Sequence, residues 1–397
     1  MGKIIIEKNT GGLNRKEASR DSVSGLLSHG VAVAEKLKLG VAYRLISLKD
    51  AESKGIDADY DRAHKVAVFH HIAEFFRVHP QGELYIYLQD KAVGYAQLIR
   101  QVEVFLRQAA GEVRQLAIAY HGTEPIVPAE KVSAKETEAT EEPVAKPLTW
   151  SYLAGLAQEQ YERLYALYMP CQIVLEGTGF VYEHVAELPN ARAFNAPNVS
   201  IVLLEKGLGT VLGAISKAQV NQSIGWVERF NIYGKALERP ALIDGTLLTN
   251  ITGGDLLTLE TKGYILPKVY IGKAGVYLSS GATCTDSQHD FAYLEYGRTF
   301  DKAVRGLYIA LVPCIEKDFG IDPLTKKIAP QDIKMMELTA AKYLEQMQRE
   351  GEISYYQVTI DPTQDILAEE KLTLQISLTP RGVARTIVAQ VGFKSNK

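Results

Sequence analysis

Apolar residues recur at helical spacing over residues 62–78, where Val66, Phe69, Ile72, Ala73 and Phe76 share one face. His79-Pro80-Gln81-Gly82 ends that helix, and residues 83–88 read as a strand. A second amphipathic helix is predicted over 93–109, closed by Gly111, with a strand at 115–120. The same alternation continues with a helix at 150–168, a strand at 172–176 and a short helix at 213–220. A further helix at 255–263 and a strand at 264–270 complete it. Residues 199–204 are almost wholly apolar, as in a strand buried on both faces. Strand–helix alternation of this kind predicts an α/β fold with a mostly parallel sheet flanked by helices.

The last third changes pattern. A long helix is predicted over 290–319, with Phe300, Ala303, Val304, Leu307 and Leu311 on one face. Arg298, Asp301, Lys302 and Arg305 form a charged stripe on the other. A second helix spans 331–350, with Ile333, Met336, Ala340, Leu344 and Met347 inward and Gly351 as its stop. Strands follow at 353–360, 371–379 and 385–393, which makes this part α+β. Leu372, Leu374, Ile376 and Leu378 alternate strictly, so one face of that strand is predicted to be buried. No internal repeat is visible.

Composition narrows the picture. A chain of 397 residues, 46% apolar and 23% charged, is long enough for two or three domains and a large core. A net charge of −3 argues against a nucleic-acid partner or a polybasic membrane binder. The longest apolar run, near 307–315, is far short of a membrane span, so direct membrane insertion is not expected. The start, Met1-Gly2-Lys3-Ile4-Ile5-Ile6, is too short in apolar residues for a secretory signal. The three cysteines, Cys171, Cys284 and Cys314, suit neither a disulfide framework nor a zinc site, and the chain reads as cytoplasmic at synthesis. Residues 123–147 stand apart: four prolines, no aromatic residue, and six glutamates against three lysines. That composition predicts an extended acidic excursion on the surface of the body.

Candidate chemistry is sparse. Gly207-Leu208-Gly209 follows the apolar strand, with Gly213 further on, and resembles a dinucleotide-binding turn; the third glycine is one residue late and no ribose-binding acid follows. A nucleotide- or small-ligand-binding protein using the 207–213 turn is therefore the alternative reading. Cys284-Thr285-Asp286-Ser287-Gln288-His289-Asp290 concentrates reactive side chains, but a polar loop with Asp290 capping the long helix accounts for it more simply. His64, His70, His71 and His79 lack zinc-helix spacing. Glu141-Glu142 and Glu369-Glu370 carry no burial signal, and the 21 tyrosines are not interleaved with a basic patch. The expectation is a non-enzymatic, structural chain with no catalytic, cofactor-binding or metal site.

The ends carry the sharper signal. Ile4, Ile5 and Ile6 precede a Gly11-Gly12 break, and Ile387, Ala389, Val391 and Phe393 alternate after Arg381-Gly382. A terminal strand must pair, either within its own subunit or by addition to a neighbour's sheet. Several strings then resemble contractile tail sheath proteins of phages and phage-tail-like injection systems. They are 290–294 (DFAYL), 298–305 (RTFDKAVR), 344–353, 378–387 (LTPRGVARTI) and, in the body, 213–218 and 220–227. The resemblance is patchy over 172–393 and weak before that. The single chain is more like phage and tailocin sheaths than the two-protein sheaths of secretion systems.

The resemblance implies a subunit that polymerises as stacked six-fold rings around an inner tube and contracts to drive it through a target envelope. Assembly would occur in the bacterial cytoplasm, as part of a virion tail or phage-tail-like particle. Implied partners are further copies of the chain, the inner tube protein, and baseplate and terminator or cap proteins. Ile4 to Ile6 and Ile387 to Phe393 would be strand-donating arms, and the strand with Leu372, Leu374, Ile376 and Leu378 their acceptor. Arg298, Arg305, Lys342 and Arg349 would be candidates for the tube-facing surface. The implied division is an N-terminal arm (1–20), an α/β body (21–289), an α+β sheath domain (290–380) and a C-terminal arm (381–397).

Overall fold

A computed structural model describes residues 20–129, 148–323 and 327–392. The chain enters strand β1 (Ser24–His29) and turns back through β2 (Ala42–Leu45) to helices α1 (Leu48–Ser53), α2 (Ala58–His64) and α3 (Val68–Val78). Strand β3 (Leu84–Gln89), helices α4 (Tyr95–Arg100) and α5 (Val102–Gln108) and strand β4 (Gln115–Ala119) follow. Next come the short pair β5 (Ile126–Val127) and β6 (Leu148–Thr149), then α6 (Trp150–Ala166), β7 (Gln172–Glu176), β8 (Val199–Val202), α7 (Leu208–Lys217) and α8 (Gly253–Thr261). A hairpin of β9 (Pro267–Tyr270) and β10 (Lys273–Leu278) closes the body. The C-terminal part is α9 (Leu294–Leu311), α10 (Pro330–Arg349), β11 (Ile353–Ile360), α11 (Ile366–Glu369) and β12 (Leu374–Pro380).

The body is built on a six-stranded sheet ordered β2-β3-β1-β4-β7-β8, parallel except for the edge strand β2. Successive residues of the central strand divide between its faces. Leu27 joins Tyr87, Ile118, Ile173 and Val199 under α4–α6, while Leu26 joins Ile86, Ala117 and Val174 under α3 and α7. Both faces are covered, as the apolar run at 199–204 predicted. The sequence pattern did not single out β1, all six residues of which are buried. Its Ser-Gly-Leu-Leu-Ser-His composition has neither alternation nor β-branched residues; Ser24 is held by polar neighbours, its hydroxyl accepting from the Gln115 side chain at 2.9 Å.

Two predicted helices are broken where local geometry decides. The 62–78 helix is split because Lys65 adopts a left-handed φ of 52°. The Asp61 carboxylate then accepts from the backbone N–H of Phe69 and His70 at 3.0 and 2.9 Å, capping α3 from the preceding helix. The 93–109 helix divides at Gln101. The 290–319 helix is shorter than expected: it starts after Tyr293, so Asp290 does not cap it, and it ends at Leu311.

In the C-terminal part, β11 and β12 pair antiparallel, with Tyr356 opposite Leu378, Val358 opposite Ile376 and Ile360 opposite Leu374. The alternation of β12 is as predicted, but its inward side chains are only half-buried. Residues 381–392 form neither helix nor strand. Among the described residues the expected strand from 385 pairs with no other, and an unpaired strand leaves its backbone groups unsatisfied. No helix among the described residues is long and apolar enough to cross a membrane.

Candidate assembly site

Helix α9 organises this region, and its two faces reverse the usual arrangement. The charged stripe is the buried one. Arg298 is 4% exposed and donates to the carbonyls of Ala218 and Gln219 at 3.1 and 3.2 Å; burial lowers its pKa to about 10. Asp301 accepts from Tyr161 Oη and Gln172 Nε2, both at 2.7 Å, and burial raises its pKa. Lys302 Nζ lies 2.7 Å from both Asp21 and Glu352. Burial alone would lower its pKa; Asp21 and Glu352 outweigh that and hold the ammonium above its ordinary value. Arg305 donates to the Pro170 carbonyl at 3.2 Å and sits 3.5 Å from Asp21. The stripe is thus the seam between the C-terminal part and the body. Buried ions survive there because each has an opposite charge or hydrogen-bond partners within reach.

The placement of Arg298 and Arg305 corrects the expectation that they face a tube: both guanidinium groups are turned into the seam. Lys342 and Arg349 are exposed on α10, where Arg349 pairs with Glu345 one turn away. Lys342 borders a shallow depression of about 490 Å³ with Lys334 and the exposed Leu338.

The apolar face of α9 is the open one. Phe300, Val304 and Leu307 are half-buried and line a groove of about 710 Å³ whose opposite wall is Leu374, Ile376, Leu378 and Pro380 of β12. Leu372 is half-buried just before the strand. The predicted acceptor strand therefore borders a half-filled apolar groove. The C-terminal segment leaves β12 beside it, with Ile387 and Val391 at 85% and 96% exposure and Ala389 also exposed. Ile4, Ile5, Ile6 and Phe393 lie outside the described residues.

The glycine turn does different work from a ligand loop. Helix α7 packs so closely on α3 that a Cβ on Gly209 would run into the His71 carbonyl, and one on Gly213 would lie 2.9 Å from the Phe75 carbonyl. The Gly209 N–H points to His71 Nδ1 at 3.4 Å. The helix start faces protein rather than space for a phosphate, so the alternative ligand-binding reading loses its site. Cys284 is buried, which pushes its thiol up to about 12, and the exposed His289 accepts from the Phe291 N–H instead of meeting it. Among the described residues no group of three or more His, Cys, Asp or Glu is placed to hold a metal ion.

The histidines form a cluster that spacing alone did not reveal. His71 of α3 stacks on His121, centroids 6.3 Å apart, at the ends of strands where His29 also lies. Each ring accepts a hydrogen bond from backbone: His29 Nδ1 from His121, His121 Nε2 from Ala67 and His71 Nδ1 from Gly209. A ring nitrogen that accepts carries no proton, and burial lowers all three pKa values, that of His121 to about 4.

The DUF2586 N-terminal domain matches residues 1–282 and the DUF2586 C-terminal domain residues 290–397. No curated protein matches the chain. Solved structures with the same fold include a chain of the anti-feeding prophage (AFP) helical sheath in its contracted state. It is 14% identical, with a TM-score of 0.66 and 98% of each chain covered. A chain of the PVC sheath complex of an extracellular contractile injection system, also contracted, is 13% identical with a TM-score of 0.61; 99% of this chain and 97% of that one are covered. A chain of the AFP baseplate is 14% identical with a TM-score of 0.60, covering 100% and 99%.

Proposed function

This chain belongs to the DUF2586 family, and we propose that it is a structural subunit of a contractile sheath. The observation that carries the reading is the likeness to a contracted AFP sheath chain over 98% of both chains. Insertions and missing domains would break such coverage. The chain polymerises with its own copies as stacked six-fold rings around an inner tube, meets a baseplate at one end and a cap at the other, and shortens to drive the tube. Its role is mechanical rather than catalytic, and its place is a phage tail or phage-tail-like particle put together in the bacterial cytoplasm.

Strand addition links the subunits. Ile4 to Ile6 at one end and Ile387, Ala389, Val391 and Phe393 at the other are the donors. Supporting this, the described part of the C-terminal segment exposes its apolar residues next to a half-filled groove. The acceptor is the Leu374, Ile376 and Leu378 face of β12 with Leu372 at its entrance; a strand laid there would cover side chains that the single chain leaves half-buried. Lys342 and Arg349 on the open side of α10 remain candidates for tube contact. Domain limits at 20, 289 and 380 belong to the same proposal.

Negative-stain electron microscopy of the purified chain beside a variant lacking residues 1–11 tests it. Hollow cylinders from the full chain alone are expected. Monomers or dimers from both at high concentration would refute self-assembly.

A further inference from the structure

Both ends of the described chain are fastened to one helix. At the N-terminal end, Asp21 is held by Lys302 at 2.7 Å and by Arg305 at 3.5 Å. At the C-terminal end, Arg385 reaches Glu295 at 2.5 Å, and its guanidinium carbon stands 3.2 Å from the centre of the Tyr293 ring. Glu295 is 1% exposed, and its second oxygen has no hydrogen-bond partner. Such a carboxylate is costly to leave without a cation, so the contact holds Arg385 firmly although its backbone lies at the surface. Glu295, Lys302 and Arg305 fall at i, i+7 and i+10, one stripe of α9. Seven residues at a rise of about 1.5 Å put the two fastenings about 10 Å apart on a single rod. Lys302 also meets Glu352 at 2.7 Å, which ties the base of the β11–β12 hairpin to the same rod.

We infer that α9 is a crossbar that fixes the roots of both terminal segments relative to each other. Glu295, Lys302 and Arg385 are its positioning residues. The inference rests on the reading above that those segments link neighbouring subunits. It adds that tension on one segment passes to the other through α9. Beyond this fastening residues 386–392 are exposed, and Arg385 keeps the segment from peeling further back.

The test uses the full chain with Cys314→Ser, Cys171 and Cys284 being buried. Spin labels at Val388→Cys and Lys342→Cys report the distance between the root of the C-terminal segment and α10. A narrow distribution is expected, at least doubling in width in Arg385→Ala and in Glu295→Gln. Arg385→Ala leaves the buried Glu295 carboxylate without its cation, so its melting temperature should fall, and widths are read well below it; Glu295→Gln removes the charge itself and should broaden the distribution with a smaller loss. A label pair at Arg20→Cys and Lys342→Cys should broaden in the same way with Lys302→Gln. Unchanged widths in the Arg385 and Glu295 variants would overturn the crossbar, whether or not cylinders form. Broadening in a chain that forms no cylinders would uphold the crossbar and count against the sheath reading instead.

Discussion

The parallel-sheet body and the C-terminal hairpin are two different kinds of packing in one chain. In the body, every strand of the sheet except β2 is buried on both faces, and its core runs without interruption from α3 and α7 through the sheet to α4–α6. In the C-terminal part, the buried cluster consists of Ala303, Leu344, Met347 and Ile353, ringed by half-buried Leu307, Tyr356, Val358, Ile376 and Leu378. The body is complete as a single chain; the hairpin has the residues of a core wall without the layer that would close it. This half-covered apolar face is the surface we propose a neighbouring copy covers.

Substitutions should separate the two regions, beginning with the largest effect. Leu27→Ala, fully buried at the centre of the sheet, should cost about 4 kcal/mol in urea unfolding, through lost transfer energy and the cavity left behind. Next comes a histidine ring of the body whose share of stability depends on pH. His121 is held neutral in the fold, its pKa lowered from 6.5 to about 4, so the folded chain binds fewer protons than the unfolded one. Its contribution is therefore complete above about pH 6.5 and lost as pH falls toward 4, about 3 kcal/mol from this ring. Glu176, its carboxyl raised by burial to about 7, contributes with the opposite sign in the same range, so the ring's share is read as the difference between the chain and His121→Gln in unfolding curves taken between pH 7.5 and 4.

Gly209→Ala should cost about 2 kcal/mol, because α7 must back away from α3; a thermal melt reads it, and an unchanged Tm would mean the helices are not in that contact. The smallest effect on folding is expected where the effect on assembly is greatest. Ile376→Ala, half-exposed in the groove, should cost about 1 kcal/mol or less in the lone chain yet abolish cylinders by electron microscopy. A large loss of stability from Ile376→Ala would mean that the groove belongs to the fold rather than to a partner.

Much of the architecture was legible in the pattern of residues. The strands at β3, β4, β7 and β11 fall within a residue or two of their predicted positions, as does helix α10. These segments have strong periodicity, and their burial follows from local spacing. Strand β1 was not legible, since a central strand of serine, glycine and histidine looks like a loop until its neighbours cover it. The orientation of α9 was not legible either. Periodicity separates an apolar from a charged face but does not say which one turns inward, and here Asp21, 281 residues away in sequence from Lys302, settles it. Glu295 and Arg385 had no signal as a pair for the same reason.

The sequence by itself determined the class of fold, the alternating elements of the body, the two-helix-and-strands ending and the exposed apolar tail, because each depends on neighbours within a few residues. Only the tertiary structure decided that the glycine turn seats one helix on another, that two of the four candidate surface cations are buried in a seam, and that Asp21 and Arg385 are both fastened to α9. Those outcomes rest on charges and close contacts between residues far apart in the chain, and such pairings come into being only when the fold brings them together.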